Sequence, residues 1–244
     1  MWHFASTSFY YGLSWSGTPD LNYRNPAVST QMFDVARFWL DEVGVDGFRL
    51  DAVRHLIEIG EQQENTAATH SWLKGFRAVS KGWSPDAHLV GEVWDAPAAI
   101  ASYLDRELDL CFEFSLADAI LNGVHNGHCS TIADVIAEVL AAYPSGRYAP
   151  LLSNHDQERA MTRWPGDEAK ARLAAAILLT LSGTPFLYYG EEIGMAGTKP
   201  DERIRTPMQW TDEETGHFTL AAPSEALSQD RAGHSILEQT GDPE

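Results

Sequence analysis

The chain has 244 residues, 44% of them hydrophobic, which allows a substantial core in one barrel-sized domain or two small ones. Its 17 Lys and Arg against 35 Asp and Glu leave a formal charge of −18. That charge argues against nucleic acid and anionic membrane surfaces as partners, because both need cations, and it is compatible with a neutral sugar substrate or with a plain role in solubility.

Met1 to Asn25 is rich in Ser, Tyr, Trp and Gly without a clear period, and reads as ordered loop. Its opening Met1-Trp2-His3-Phe4 has no basic region followed by an apolar stretch, so it does not read as a signal peptide. Asn25-Pro26 marks a helix start, with Asn as N-cap and Pro at the first position. Met32, Val35, Ala36, Trp39, Leu40 and Val43 recur at helical spacing, and Gly44 stops the helix. Val45 to Leu50 reads as a buried strand in which Gly47 allows a close backbone approach. Residues 56–70 are polar and loop-like, Ser71 to Ser80 reads as a helix, and His88 to Glu92 as a strand. Ala96 to Leu104 is a short helix, Leu108 to Phe114 a strand, and Thr131 to Tyr143 a helix. A strand from Tyr148 leads to Asp156, a long apolar helix spans Asp167 to Leu181, and Phe186 to Tyr189 is the last strand. Strand and helix alternate about five times, the pattern of a parallel α/β fold. No run of apolar residues reaches membrane length.

Two cysteines, Cys111 and Cys129, do not make a disulfide framework, and Cys111 reads as a buried thiol. His125, His128 and Cys129 invite a metal reading, but no second ligand pair follows at zinc spacing. The strand ends carry more chemistry. Arg49 and Asp51 share a face by the period-two alternation of a strand, and an Arg so placed favours the ionised Asp. Two readings stand for this pair alone: a nucleophile with its cation, or a structural ion pair. Two further strands end on Glu92 and on His155-Asp156, and three carboxylates at three strand ends is a barrel active-site pattern.

Gly47-Phe48-Arg49-Leu50-Asp51-Ala52, Gly91-Glu92-Val93-Trp94 and Ser153-Asn154-His155-Asp156 resemble three ordered signature regions of the α-amylase superfamily of retaining glycoside hydrolases. Thr18-Pro19-Asp20-Leu21-Asn22 resembles the segment closing that family's inserted domain, and Gly183 to Glu192 its last barrel strand. Arg203-Ile204-Arg205-Thr206-Pro207-Met208-Gln209-Trp210 resembles the long loop after that strand. The resemblance implies a (β/α)8 barrel present in part, about strands 4 to 8. Residues 1–25 would then end the inserted domain, and residues 26–244 would form the partial barrel, ending before its last helix. The family's usual first signature is absent, so the earlier strands are expected before Met1. Asp242 and Pro243 resemble the start of a helix that is cut off.

The resemblance also implies roles. Asp51 would be the nucleophile, Glu92 the general acid and then base, and Asp156 the stabiliser of the oxocarbenium-like transition state. The apolar residues before Glu92, with Trp94 nearby, suggest surroundings that favour a neutral acid. Arg49, His155 and Arg54 would contact substrate, with a satisfied barrel-end histidine as the other reading of His155. The His55 carbonyl corresponds to a ligand of structural calcium in relatives, and the other usual ligands are not in this sequence. The chemistry itself needs no cofactor. Tyr10, Tyr11 and Trp15 either line the cleft or pack the loop. Ala52 after Asp51 favours α-1,4 bonds, whereas Thr18 matches neither the Gln nor the Met that relatives often carry. The expected activity is hydrolysis of α-1,4-glucosidic bonds in starch or maltooligosaccharides. The rivals are an α-glucosidase or transglycosylase of the same superfamily, a non-catalytic amylase-like subunit, and a carbohydrate-binding module.

Overall fold

A computed structural model of the chain describes residues 1–228 and 231–241, so the expected helix start at Asp242-Pro243 lies outside the described residues. The chain forms two compact units, Met1–Trp94 with Asp105–Asp109, and Asp95–Leu104 with Leu110–Glu244.

The first unit opens with a hairpin, β1 (Trp2–Ala5) and β2 (Ser8–Tyr11), where a loop was expected. Aromatic residues fall on both of its faces, which hides the period-two alternation, and three cross-strand ring pairs knit it together: Trp2 with Tyr11, His3 with Tyr10, and Phe4 with Phe9. Helix α1 (Pro26–Arg37) starts as expected, with the Asn25 side chain accepting from the Ala27 N–H at 3.0 Å. It runs on through a wider π turn over Phe38–Val43 and stops at Gly44, whose φ of 81° is left-handed. Strand β3 (Gly47–Leu50) follows. Helix α2 (Ala67–Trp83) begins earlier than the apolar pattern suggested, because Thr66 caps the Thr69 N–H. Strand β4 (His88–Gly91) pairs with β3 in parallel, in the register Gly47↔His88 through Leu50↔Gly91. Gly47, at φ 152°, lies where a Cβ would sit 1.9 Å from the His88 carbonyl oxygen, so the close approach expected of it is a steric requirement. Leu73, Leu89, Val93 and Leu108 form the dry centre of this unit.

The second unit holds α3 (Pro97–Ser102), β5 (Leu110–Glu113), α4 (Phe114–Asn126), α5 (Ser130–Ala142), β6 (Tyr148–Pro150), α6 (Glu168–Thr180), α7 (Asp201–Ile204) and α8 (Ile236–Thr240). Strands β5 and β6 pair in parallel. Cys111 is fully buried in β5, as expected. Helix α4 was not expected. It follows β5 without a linker, Glu113 caps it through the Ser115 N–H, and its Asn122-Gly123 pair reads as a breaker. Yet Leu116, Ile120 and Val124 bury one face, and Gly123 makes room for Ile132 of α5.

Two strand expectations need correction. Strand β6 ends at Pro150, so His155 and Asp156 lie on a turn beyond it, bent by a hydrogen bond from the Asp156 N–H to Asn154 Oδ1 at 2.9 Å. Residues 186–189 form no strand. The Thr184 and Phe186 N–H groups donate to the Tyr148 and Pro150 carbonyls at 3.0 and 2.8 Å. The bond that would return to Thr184 must come from residue 150, a proline without an N–H, so no ladder closes. Among the described residues no helix is long and apolar enough to cross a membrane.

Candidate active site

In the first unit the parallel register carries Asp51 and Glu92 to adjacent positions just past Leu50 and Gly91. The Glu92 N–H donates to the Leu50 carbonyl at 2.9 Å, and the Val53 N–H to the Glu92 carbonyl at 3.1 Å, so the backbone at both residues is fixed. Ala52 turns the chain with a left-handed φ of 45°. Arg49, one residue before the end of β3, spans the two carboxylates. Its Nη1 donates to Asp51 Oδ1 and its Nη2 to Glu92 Oε2. A planar guanidinium fork can hold two carboxylates at once, which a lysine ammonium cannot do with the same geometry.

The two carboxylates are not equivalent. The Asp51 side chain is 73% exposed and the Glu92 side chain 9%. Asp51 is open to a ligand while Glu92 is clamped. Trp94 Nε1 donates to Glu92 Oε1 at 3.0 Å, and the Ala52 N–H reaches Oε2 at 3.4 Å. The surroundings of Glu92 are therefore polar at both oxygens, unlike the apolar setting expected from Leu89, Val90 and Gly91. Those residues are buried, but the Glu92 carboxylate meets a guanidinium, an indole N–H and a backbone amide.

Arg54 and His55 follow on a short 3₁₀ turn, Val53–His55. Arg54 Nε donates to His55 Nε2 at 3.0 Å, which leaves Nδ1 to donate to the Gln63 carbonyl, also at 3.0 Å. Arg54 further pairs with Glu64 at 3.4 Å. Among the described residues no three His, Cys, Asp or Glu side chains are grouped to hold a metal ion, the set His125, His128 and Cys129 included. A calcium ion takes about six to eight oxygens. One His55 carbonyl does not make up such a site.

In the second unit His155 and Asp156 meet a residue that the sequence reading did not single out. Arg205 donates through Nη2 to Asp156 Oδ1 at 2.6 Å, through Nε to the His155 carbonyl at 2.8 Å, and through Nη2 to Asp201 Oδ2 at 2.7 Å. His155 Nε2 lies 3.3 Å from Asp156 Oδ2. The hydrogen bond from Lys199, with Arg205 adding to it, holds the Asp201 carboxyl below the usual carboxylate range. Behind this turn Glu191 accepts from Ser153 Oγ at 2.5 Å and from the Tyr188 N–H at 3.1 Å. Burial pushes the Glu191 carboxyl up to about 7 against these hydrogen bonds. Arg159 lies 4.6 Å from the ring centres of both Tyr188 and Tyr189.

Each unit thus presents one arginine holding carboxylates at the C-terminal side of parallel strands. The family model of the alpha amylase catalytic domain matches residues 1–237. The chain is 42% identical to Alpha-amylase 3 of Dictyoglomus thermophilum over 217 residues, covering 87% of this chain and 42% of that protein. It is 33% identical to the trehalose synthase/amylase TreS of Mycolicibacterium smegmatis over 256 residues, covering 88% of this chain and 43% of that one. The crystal structure of an alpha-amylase from H. orenii superposes with a TM-score of 0.83 at 35% identity, over 99% of this chain and 49% of that one. The chain spans less than half the length of these relatives.

Proposed function

The chain belongs to the alpha-amylase family and has its barrel fold in part, and on that premise we propose that it supplies the catalytic carboxylates of a retaining α-glucan hydrolase acting on α-1,4-glucosidic bonds. The observation that carries this reading is the Arg49 guanidinium holding Asp51 and Glu92 at the ends of two adjacent parallel strands. Retention needs the two carboxyl groups about 5 to 5.5 Å apart, and neighbouring strands about 4.8 Å apart supply that spacing.

In this reading the exposed Asp51 carboxylate attacks the anomeric carbon as Glu92 gives its proton to the departing glucosidic oxygen. The glycosyl-enzyme on Asp51 is then displaced by a water whose proton Glu92 takes back. Arg49 holds the Asp51 carboxylate in place for the attack. Asp156, whose carboxylate Arg205 holds, takes the family's role of stabilising the positive charge that develops on the sugar, and His155 that of hydrogen-bonding sugar hydroxyls.

Hydrolysis of a blocked maltooligosaccharide, with Glu92→Gln as control, tests this. Turnover should fall by about 10² to 10⁴ or more in the variant. Near-parental turnover in Glu92→Gln would sink the role given to Glu92. The likeness to a trehalose synthase/amylase favours one second reading, glycosyl transfer on the same carboxylates. Product analysis separates the two: shorter maltooligosaccharides report hydrolysis, and rearranged or longer ones report transfer.

A further inference from the structure

The turn that carries His155 and Asp156 lies beyond its strand, since β6 ends at Pro150. Both of its ends are tied to one short stretch, residues 188–191. Upstream, the buried Ser153 donates from Oγ to Glu191 Oε1 at 2.5 Å. Glu191 Oε2 accepts from the Tyr188 N–H at 3.1 Å, so a single carboxylate joins residue 153 to residue 188. Downstream, the fully buried Arg159 donates from Nη1 to the Tyr189 carbonyl at 2.6 Å, with its guanidinium against the Tyr188 and Tyr189 rings. Between these anchors the turn is closed by local bonds to Asn154, from the Asp156 and Gln157 N–H groups, and Arg205 grips the Asp156 carboxylate.

The anchoring stretch is itself fixed. Gly190 has a left-handed φ of 85°, and a Cβ there would meet the sulfur of the buried Met195 at 2.3 Å. From the other side the Tyr188 and Tyr189 hydroxyls donate to the Ile204 and Thr206 carbonyls at 3.0 and 2.5 Å. A carboxylate suits the junction at residue 191. It only accepts, and its two oxygens take a hydroxyl and an amide donor at once. A glutamine has one acceptor oxygen and would turn its NH2 toward the second donor. Neither Ser153 nor Glu191 has a part in the proposed reaction. Ser153 nevertheless lies two and three residues before His155 and Asp156, so its place sets theirs.

We propose that Glu191 is a positioning residue: through Ser153 it fixes the turn that presents His155 and Asp156. What the turn does in catalysis rests on the proposed function above. A displacement of a catalytic group on the order of 1 Å can cost up to about 10² in rate, so a residue away from the chemistry can still govern it.

Nuclear magnetic resonance on the chain labelled with ¹⁵N at histidine tests this without turnover. The His155 ring lies 3.3 Å from the Asp156 carboxylate, so its signals report the geometry of the turn. Ser153→Ala and Glu191→Gln, at constant pH, should each shift the His155 ring signals and leave those of His70 and His217 in place. Unmoved His155 signals in both variants would overturn the proposal. So would shifts spread over all nine histidines, which would make Glu191 a residue of the fold at large. Kinetics on a maltooligosaccharide supply the second reading. Asp156 is assigned to the transition state, so Ser153→Ala should lower kcat about tenfold with KM nearly unchanged. The double variant should be no slower than Glu191→Gln alone, because both changes remove one bond. Multiplied losses, or parental kcat in both single variants, would overturn the positioning role. Shifted His155 signals in both variants, with no hydrolysis by the parent chain, would uphold the hold of Glu191 on the turn and remove the proposed function.

Discussion

At the scale of single residues, Arg49 organises the candidate site. Its pairing with Asp51 was legible, because two residues apart on a strand means one face. Its bond to Glu92, 43 positions away, followed only from the parallel register. Arg205 was not legible: it meets Asp156 across 49 residues, from a loop with no period to read. If Arg49 acts as a fork between two carboxylates, Arg49→Lys should fail to replace it. Both Arg49→Lys and Arg49→Met should lower kcat by about 10² or more, the scale of one lost electrostatic donor. Steady-state kinetics on a maltooligosaccharide check this, and a Lys variant with parental kcat would contradict the fork. Glu191 makes a separate prediction about stability. Its carboxyl titrates near 4.5 in the unfolded chain and at about 7 in the folded one. The folded state therefore binds the extra proton in that window, and the stability it brings is full below about pH 4.5 and lost as pH rises through about 7. Glu191→Gln should flatten the fall in urea midpoint across those pH values. A slope equal to that of the parent would contradict the assignment.

At the scale of elements, helices with a cap and a clean stripe were readable, and elements that abut without a linker were not. The start of α1 rested on Asn25 and Pro26, and its end on Gly44. Helix α4 escaped because it begins on the residue after β5 and contains Asn122-Gly123, a pair that only the packing of Ile132 explains. The expected last strand failed on one missing N–H, that of Pro150. The β3–β4 pair that aligns Asp51 with Glu92 depends on two glycines of unequal strictness. A Cβ on Gly47 would meet the His88 backbone at 1.9 Å, whereas one on Gly91 would meet the tip of the Leu108 side chain at 2.2 Å. Backbone cannot step aside as a side-chain tip can. Gly47→Ala should therefore cost more than Gly91→Ala, by roughly 1–3 kcal/mol. Thermal unfolding of the two variants checks the order, and Gly91→Ala being the worse would contradict the register argument.

At the scale of the whole molecule, the signature stretches mark the family in the sequence itself, since their order and spacing are specific even where element boundaries are not. The net charge of −18 carries its own consequence. Self-repulsion among exposed carboxylates should be screened by salt, so the melting temperature should rise between about 10 mM and about 1 M sodium chloride, as the Debye length shrinks from about 30 to about 3 Å. A melting temperature that falls over this range would contradict that view of the surface. The central claim remains that Asp51 is a nucleophile paired with Glu92 through Arg49. Trapping the chain with an activated fluoroglucoside, followed by peptide mass spectrometry, tests it most directly. The account predicts a single glycosylated peptide containing Asp51, absent in Asp51→Asn. Labelling at any other residue, equal labelling in Asp51→Asn, or no labelling at all would contradict it.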